Sequence, residues 1–153
     1  MKATRVEFKG KVYVIDCSSK ILGRLASQTA KLLLLGNKVT LVNAEKAAIS
    51  GHGRDIVDSY KQKVEWQDKA NPEHSPYWSR RPDFLVKRII RGMLPYKQPR
   101  GKMAFKNLTV FMGVPASISK DGFAKIETKS KRETYEGAMT VEELSEKLGY
   151  KVR

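Results

Sequence analysis

VYVIDCSSKILGRLASQTAKLLLLGNKVTLV, residues 12–42, changes its apolar period twice, and those changes decide the fold. Val12, Tyr13, Val14 and Ile15 are a short continuous run of β-formers ending at Asp16 and the polar turn of Cys17, Ser18, Ser19 and Lys20, the pattern of a buried strand. Leu22, Leu25, Ala26, Thr29, Leu32 and Leu33 then recur at three- and four-residue spacing. That period predicts a helix, with Ser18 or Ser19 as its N-cap and Gly36 with Asn37 as its stop. Val39, Thr40, Leu41 and Val42 return to the strand pattern and lead into Asn43 and Ala44. Strand, helix and strand in this order define a βαβ unit with a right-handed crossover, hence a parallel sheet covered by helices.

Working outward, residues 51–66 are helical in their middle, with Ile56, Tyr60 and Val64 on one side, and residues 68–76 form a polar loop. Leu108, Val110, Phe111 and Met112 give a third strand, closed by Gly113 and Pro115. From Ala116 to Gly137 the chain is polar, and residues 107–153 hold eight basic and seven acidic side chains, so this part adds little net charge. Thr140 followed three residues later by Glu143 is a capping box ahead of Leu144 and Leu148, with a stop at Gly149. A short amphipathic C-terminal helix follows, either packed on the domain or docked on a neighbour.

The charge is concentrated elsewhere. Residues 80–106, RRPDFLVKRIIRGMLPYKQPRGKMAFK, hold nine of the thirty basic residues and one acid, Asp83, which is +8 of the chain's +14. The window reads as a short helical stretch followed by two proline-bounded turns. On a helical wheel with Lys87 at the origin, Arg91 falls at about 40° and Arg88 at about 100°, while Leu85, Ile89, Met93 and Val86 fall between about 160° and 260°. One face is cationic and the other faces the core. A merely solvated face interleaves both signs; a face with a single acid points to a polyanion, foremost nucleic acid, with an anionic membrane or an acidic protein as less well matched partners. Tyr77 and Trp78 beside Arg80 and Arg81, and Tyr96 between Pro95 and Lys97, are placed to stack on unpaired bases. Core packing competes with that role, the more so for Trp78.

Other classes find little support. A chain of 153 residues with 41% apolar content sustains one globular domain with a core. Its apolar runs fall far short of the ~18 residues of a membrane span, and the opening residues MKATRVEFKGK lack the apolar stretch of a signal peptide, so a cytoplasmic protein is expected. One cysteine excludes an internal disulfide, and Cys17 with the distant His52 and His74 shows no metal-ligand spacing. Neither glycine-rich phosphate-loop pattern occurs; Gly51, His52 and Gly53 form a lone GxG that reads as a turn. No catalytic constellation, metal or cofactor is expected. A DNA-binding regulator and a nucleotide-dependent enzyme are the rival classes, but no projecting recognition helix, zinc finger or phosphate loop is readable.

The runs VIDCSSKILGRLAS (residues 14–27), VNAEKAAISG (42–51) and RGMLPYKQPRGKMAF (91–105), ending in VFMGVP (110–115), resemble in order and spacing the universal large-subunit ribosomal protein thirteen family, on its archaeal and eukaryotic-like branch. The resemblance spans roughly residues 11–116. It implies a three-layer α/β/α fold with a small, mostly parallel four-stranded sheet, divided into an RNA-binding α/β body at residues 1–116 and a polar extension at 117–153. It also implies a structural, non-enzymatic component of the large subunit that binds 23S-type ribosomal RNA and adjoins neighbouring large-subunit proteins, with no membrane and no small-molecule substrate. By motif, Lys20, Gly23, Arg24 and Ser27 would hold a phosphate at the start of the first helix. Arg91, Gly92 and Pro95 of the RGMLP turn would meet RNA, Gly92 through its backbone, while Met93 and Leu94 pack inward. Tyr96, Lys97, Arg100, Gly101 and Lys102 would continue the strip, joined by Arg80, Arg81, Lys87 and Arg88 from the helix side. Cys17, Ser18 and Ser19 stand where family members often carry Ala and Gly, and their side chains could also hydrogen-bond RNA.

Overall fold

A computed structural model describes residues 10–116, 118 and 138–151. Lys120 and most of the polar segment before Gly137 lie outside the described residues. Strand β1 (Val12–Asp16), helix α1 (Leu22–Leu34) and strand β2 (Lys38–Val42) form the expected βαβ unit. Strands β1 and β2 pair in parallel with Val14 opposite Thr40 and Ile15 opposite Leu41, and α1 buries Leu22, Leu25, Ala26, Thr29, Ala30 and Leu33. The helix ends as its sequence dictates: Gly36 takes φ +87°, which an L side chain resists, and its N–H donates to the Leu33 carbonyl at 3.0 Å.

Neither serine caps α1. The helix begins at Leu22, so the N-cap position is Ile21, without a side-chain bond, and Ser18 stands three residues before it; the Ser18 N–H and hydroxyl donate instead to Asp16 Oδ1 at 3.0 and 2.8 Å. The same oxygen accepts from Asn43 Nδ2 at 2.9 Å, tying the end of β1 to the left-handed residue that follows β2, φ 54° at Asn43. Burial opposes ionisation of Asp16, but the hydrogen bonds from Asn43 and Ser18 and the charge of Lys20 outweigh it and hold the carboxyl below its ordinary value. A carboxylate with a lowered folded pKa stabilises the native state above its unfolded pKa and loses that contribution as pH falls through the folded value. Asp16→Ala is therefore expected to cost about 1–2 kcal/mol near neutral pH. Urea titrations of both proteins should show the difference shrinking below about pH 4; an equal difference at pH 7 and pH 3 would count against an ionic role.

Between β2 and the third sheet strand run a 3-10 turn (Ala44–Lys46), strand β3 (Ala48–Ile49), helix α2 (Gly53–Glu65), a second 3-10 turn (Pro72–His74) and helices α3 (Pro82–Gly92) and α4 (Pro99–Lys106). Strand β4 (Leu108–Val110) then lies parallel to β2, with Val39 opposite Leu108, so the order is β1-β2-β4. The chain folds back through β5 (Met139–Thr140) and helix α5 (Val141–Lys147).

Three expectations need correction. Among the described residues the main sheet has three strands, not four, and β3 with β5 forms a separate antiparallel pair, Ala48 opposite Thr140. Phe111 and Met112 fall outside β4, 37% and 39% exposed; the chain turns away at Gly113, whose N–H donates to the Glu45 carboxylate at 3.1 Å. The second turn of the basic window is helix α4. Pro99 is its first residue, where the absent N–H is no loss and the fixed φ is already helical.

The C-terminal helix packs on the domain. Thr140 Oγ1 accepts from Glu143 N–H at 3.2 Å, as the capping box requires, and Val141 and Leu144 are fully buried in the main core with Ile15, Leu25, Val86 and Ile90. Ser145 donates its hydroxyl to the Arg80 carbonyl, fastening α5 to the start of the basic window.

Candidate nucleic-acid interface

Helix α3 obeys its wheel. Leu85, Val86 and Ile90 are buried, Arg91 is exposed, and Lys87 and Arg88 are half-buried on the opposite side. The chain leaves α3 through a tight turn in which Tyr96 N–H donates to the Leu94 carbonyl at 2.7 Å and Gln98 N–H to the Pro95 carbonyl at 2.9 Å. Leu94 plugs the core as expected. Met93 does not: it is 41% exposed, because helix α3 ends at Gly92 and the turn carries its side chain outward.

The cations divide by what already holds them. Arg81 forms a two-pronged bond to Asp83, Nε to Oδ1 at 3.1 Å and Nη2 to Oδ2 at 2.9 Å, so the window's one acid is spent inside it. Arg88 donates to the Tyr77 carbonyl at 2.7 Å and lies 3.7 Å from the centre of the Trp78 ring; burial, with Arg91 nearby, pushes its pKa down. Arg88 is thus a fastener between α3 and the preceding loop, and Trp78, met edge-on by Tyr60 at 6.3 Å, packs inward. Arg91 sits 5.0 Å above the Tyr96 ring, which meets Phe105 edge-on at 5.3 Å, so Tyr96 serves to orient Arg91. Among the described residues Lys87, Arg91, Lys97, Arg100 and Lys102 form no ion pair. Lys97, Arg100 and Lys102 are exposed on the turn and on α4.

Gly23, Arg24 and Ser27 are exposed on the first turns of α1, the Ser27 hydroxyl donating back to the Arg24 carbonyl at 2.8 Å, and Lys20 precedes them half-buried. A shallow groove lined by Ser27, Lys31, Leu35, Met93 and Arg100 joins the middle and far end of α1 to the α3–α4 turn; of the predicted α1 residues only Ser27 lines it. Arg80 stands apart, on a second cleft with Trp66, Tyr77 and Tyr150. The turn of Cys17 to Ser19 offers little. Cys17 is fully buried, its thiol pushed up to about 12 by burial and then by Asp16, and Ser18 is engaged with Asp16. Among the described residues no group of three or more His, Cys, Asp or Glu side chains could hold a metal ion, and no helix is long and apolar enough to cross a membrane.

The glycines separate into two kinds. A Cβ on Gly23 or Gly92 would meet nothing within 4 Å, leaving backbone open to an approaching partner. A Cβ on Gly101 would lie 2.1 Å from the Pro95 carbonyl oxygen; Gly101 is a packing residue that lets α4 sit against the RGMLP turn. Gly101→Ala should therefore cost about 1–3 kcal/mol of overpacking despite the better helix propensity of Ala, whereas Gly92→Ala should leave the thermal melt unchanged or slightly raised. Equal melting temperatures for both variants would contradict the assignment.

Phe84 and Phe105 are the residues the sequence reading missed. Phe84 is 46% exposed. On the same wheel it falls at about 60°, between Arg91 and Arg88, so an aromatic ring inside the cationic sector was the available signal.

The fold is a basic α/β domain whose densest run of cations, residues 80–106, folds into two helices and the turn between them. Residues 10–117 match the family model described as ribosomal protein L13. The chain is 43% identical over 143 residues to the large ribosomal subunit protein uL13 of Archaeoglobus fulgidus, covering 90% of this chain and 88% of the relative. It is 39% identical to the uL13 of Methanopyrus kandleri, covering 91% and 87%, and 42% identical to that of Methanocaldococcus jannaschii, covering 90% and 98%. The chain belongs to the ribosomal protein L13 family. These relatives are archaeal, in line with the branch that the sequence motifs resemble, and the likeness extends past residue 116 to most of the chain.

Proposed function

We propose that this protein is a structural, non-enzymatic constituent of the large ribosomal subunit in the cytoplasm, where it binds 23S-type ribosomal RNA and adjoins neighbouring large-subunit proteins. The observation that carries the RNA reading is the cationic window itself, in which Lys87, Arg91, Lys97, Arg100 and Lys102 form no ion pair among the described residues and the one acid, Asp83, is already bonded to Arg81. Such a surface releases counterions when it meets phosphates. Gly23, Arg24 and Ser27 extend it onto α1, with Lys20 behind them; Gly92 and Pro95 offer exposed backbone at the turn; Arg81 flanks it, and Arg80 adds its charge from the adjoining cleft. Arg88, Tyr96 and Gly101 act by holding the others in place. Residues 1–116 form the RNA-binding body, and 117–153 an extension whose final helix returns to the core. The three-layer arrangement is supported by β2, where the successive residues Leu41 and Val42, which point to opposite faces, are both fully buried.

Sedimentation tests the assignment. The tagged protein should travel with large subunits through a sucrose gradient and should leave them at high salt. Recovery only at the top of the gradient, at low salt and with intact subunits present, would refute it.

A further inference from the structure

The basic face contains a feature that binding to a phosphate backbone does not require. Between α3, α4 and the loop before α3 lies an open cleft of about 490 Å³, walled by Tyr77, Phe84 and Phe105 and rimmed by Lys87, Arg88 and Arg91. Aromatic surface on a cationic face is left uncovered here: Tyr77 is 84% and Phe84 46% exposed. The arrangement is held from below. Arg88 clamps the Tyr77 carbonyl at 2.7 Å and stacks on Trp78, which fixes the backbone that presents the Tyr77 ring. Arg81 lies 4.9 Å from the Phe84 ring centre with its charge answered by Asp83, and Lys87 lies 5.5 Å from the Phe105 ring centre with no ion pair among the described residues.

We propose that this cleft receives one unpaired nucleobase of the bound RNA, stacked against Phe84 or Tyr77, with the adjoining phosphate on Lys87 and Arg91. The proposal rests on the RNA-binding reading above and makes it specific. A duplex keeps its bases stacked on each other and presents only phosphate and sugar to such a face, which would leave the aromatic walls wet. A base from a loop or bulge offers a flat π surface to the rings and a phosphate to the rim together. An apolar side chain of a neighbouring protein would fill the cleft but leave the two cations unanswered. Because stacking needs only a π face, the cleft should tolerate any base.

The test uses the full chain and a domain-sized fragment of large-subunit ribosomal RNA. Tyr77→Leu and Phe84→Leu keep the charge, and so much exposure in the free protein means that their melting temperatures should not move. Each should weaken binding about tenfold, with the slope of log K against log salt unchanged. Ultraviolet crosslinks from the peptides carrying Tyr77 or Phe84 should end on an unpaired nucleotide. Wild-type affinity in both variants, while Arg91→Ala binds more weakly, would overturn the stacking site and leave the charged surface intact. Crosslinks in assembled subunits that run to a protein would assign the cleft to a side chain instead. Failure of the wild-type protein to bind the fragment would remove both readings.

Discussion

Leu144→Ala is expected to destabilise the free protein by about 2–5 kcal/mol, the range for a buried leucine whose site cannot fully collapse. Leu144 has no accessible surface and shares one core with residues from the sheet, α1 and α3, although it stands more than a hundred positions beyond β1 in the chain. Helix α5 has only seven residues and could not persist alone. Its packing holds it, along with the β3–β5 pair and the Ser145 bond to Arg80. Because that bond secures the entry to α3, the substitution should also loosen the basic surface. Thermal melts check the first effect and RNA affinity below the melting range the second. A loss under about 0.5 kcal/mol would mean that α5 is an appendage.

Arg91→Ala and Arg100→Ala are each expected to weaken RNA binding by about 1–3 kcal/mol, as for a charge-assisted bond to phosphate. Both residues are exposed, yet each is held on a framework present before RNA arrives: Arg91 over Tyr96 on α3, Arg100 on an α4 seated against Pro95 through Gly101. Such preorganisation lowers the ordering cost of binding. Lys120→Ala, in the charge-balanced sequence after Ala116, should lose less. Arg81→Ala and Arg88→Ala should behave differently from the exposed pair, since Arg81 is neutralised by Asp83 and Arg88 works as a fastener; loss at Arg88 should lower the melting temperature as well as affinity.

Where the chain has a long local period, sequence and structure agree. β1, α1 and β2 are legible because apolar spacing switches cleanly between runs and the three- and four-residue repeat, and α5 because Thr140 and Glu143 form a local capping pair. Elements specified by distant partners are not. β3 and β5 have two residues each and pair across some ninety positions of chain, so neither has a period to read. Ser18 fits a cap by residue type, but the helix begins four residues after it at Leu22, and its hydroxyl donates locally to Asp16 two residues back. Pro99 reads as a turn residue in the linear chain, yet a proline followed by seven residues with no breaker other than Gly101 also starts a helix.

The candidate surface divides in the same way. Clustering of like charge is a property of the linear order and is legible in the sequence, as is the face shared by Lys87, Arg88 and Arg91. Which cations stay available depends on contacts that the linear chain does not display: the Asp83 fork on Arg81, the return of the Tyr77 carbonyl to Arg88, the proximity of Ser27 to Arg100 across the groove. Gly101 shows the limit most plainly. Its neighbours in the chain are an arginine and a lysine, but its own role is to admit the Pro95 carbonyl.

The central claim is that a prefolded cationic surface centred on α3 and α4 binds ribosomal RNA through phosphates. The most direct measurement is filter binding of the wild-type and Arg91→Ala proteins to one large-subunit RNA fragment across a salt series. If about six to eight phosphates are engaged, log K should fall with log salt at a slope of several units, and Arg91→Ala should reduce that slope by about one while melting like the wild type. A slope near zero, or an Arg91→Ala defect that follows only from a lowered melting temperature, would contradict it.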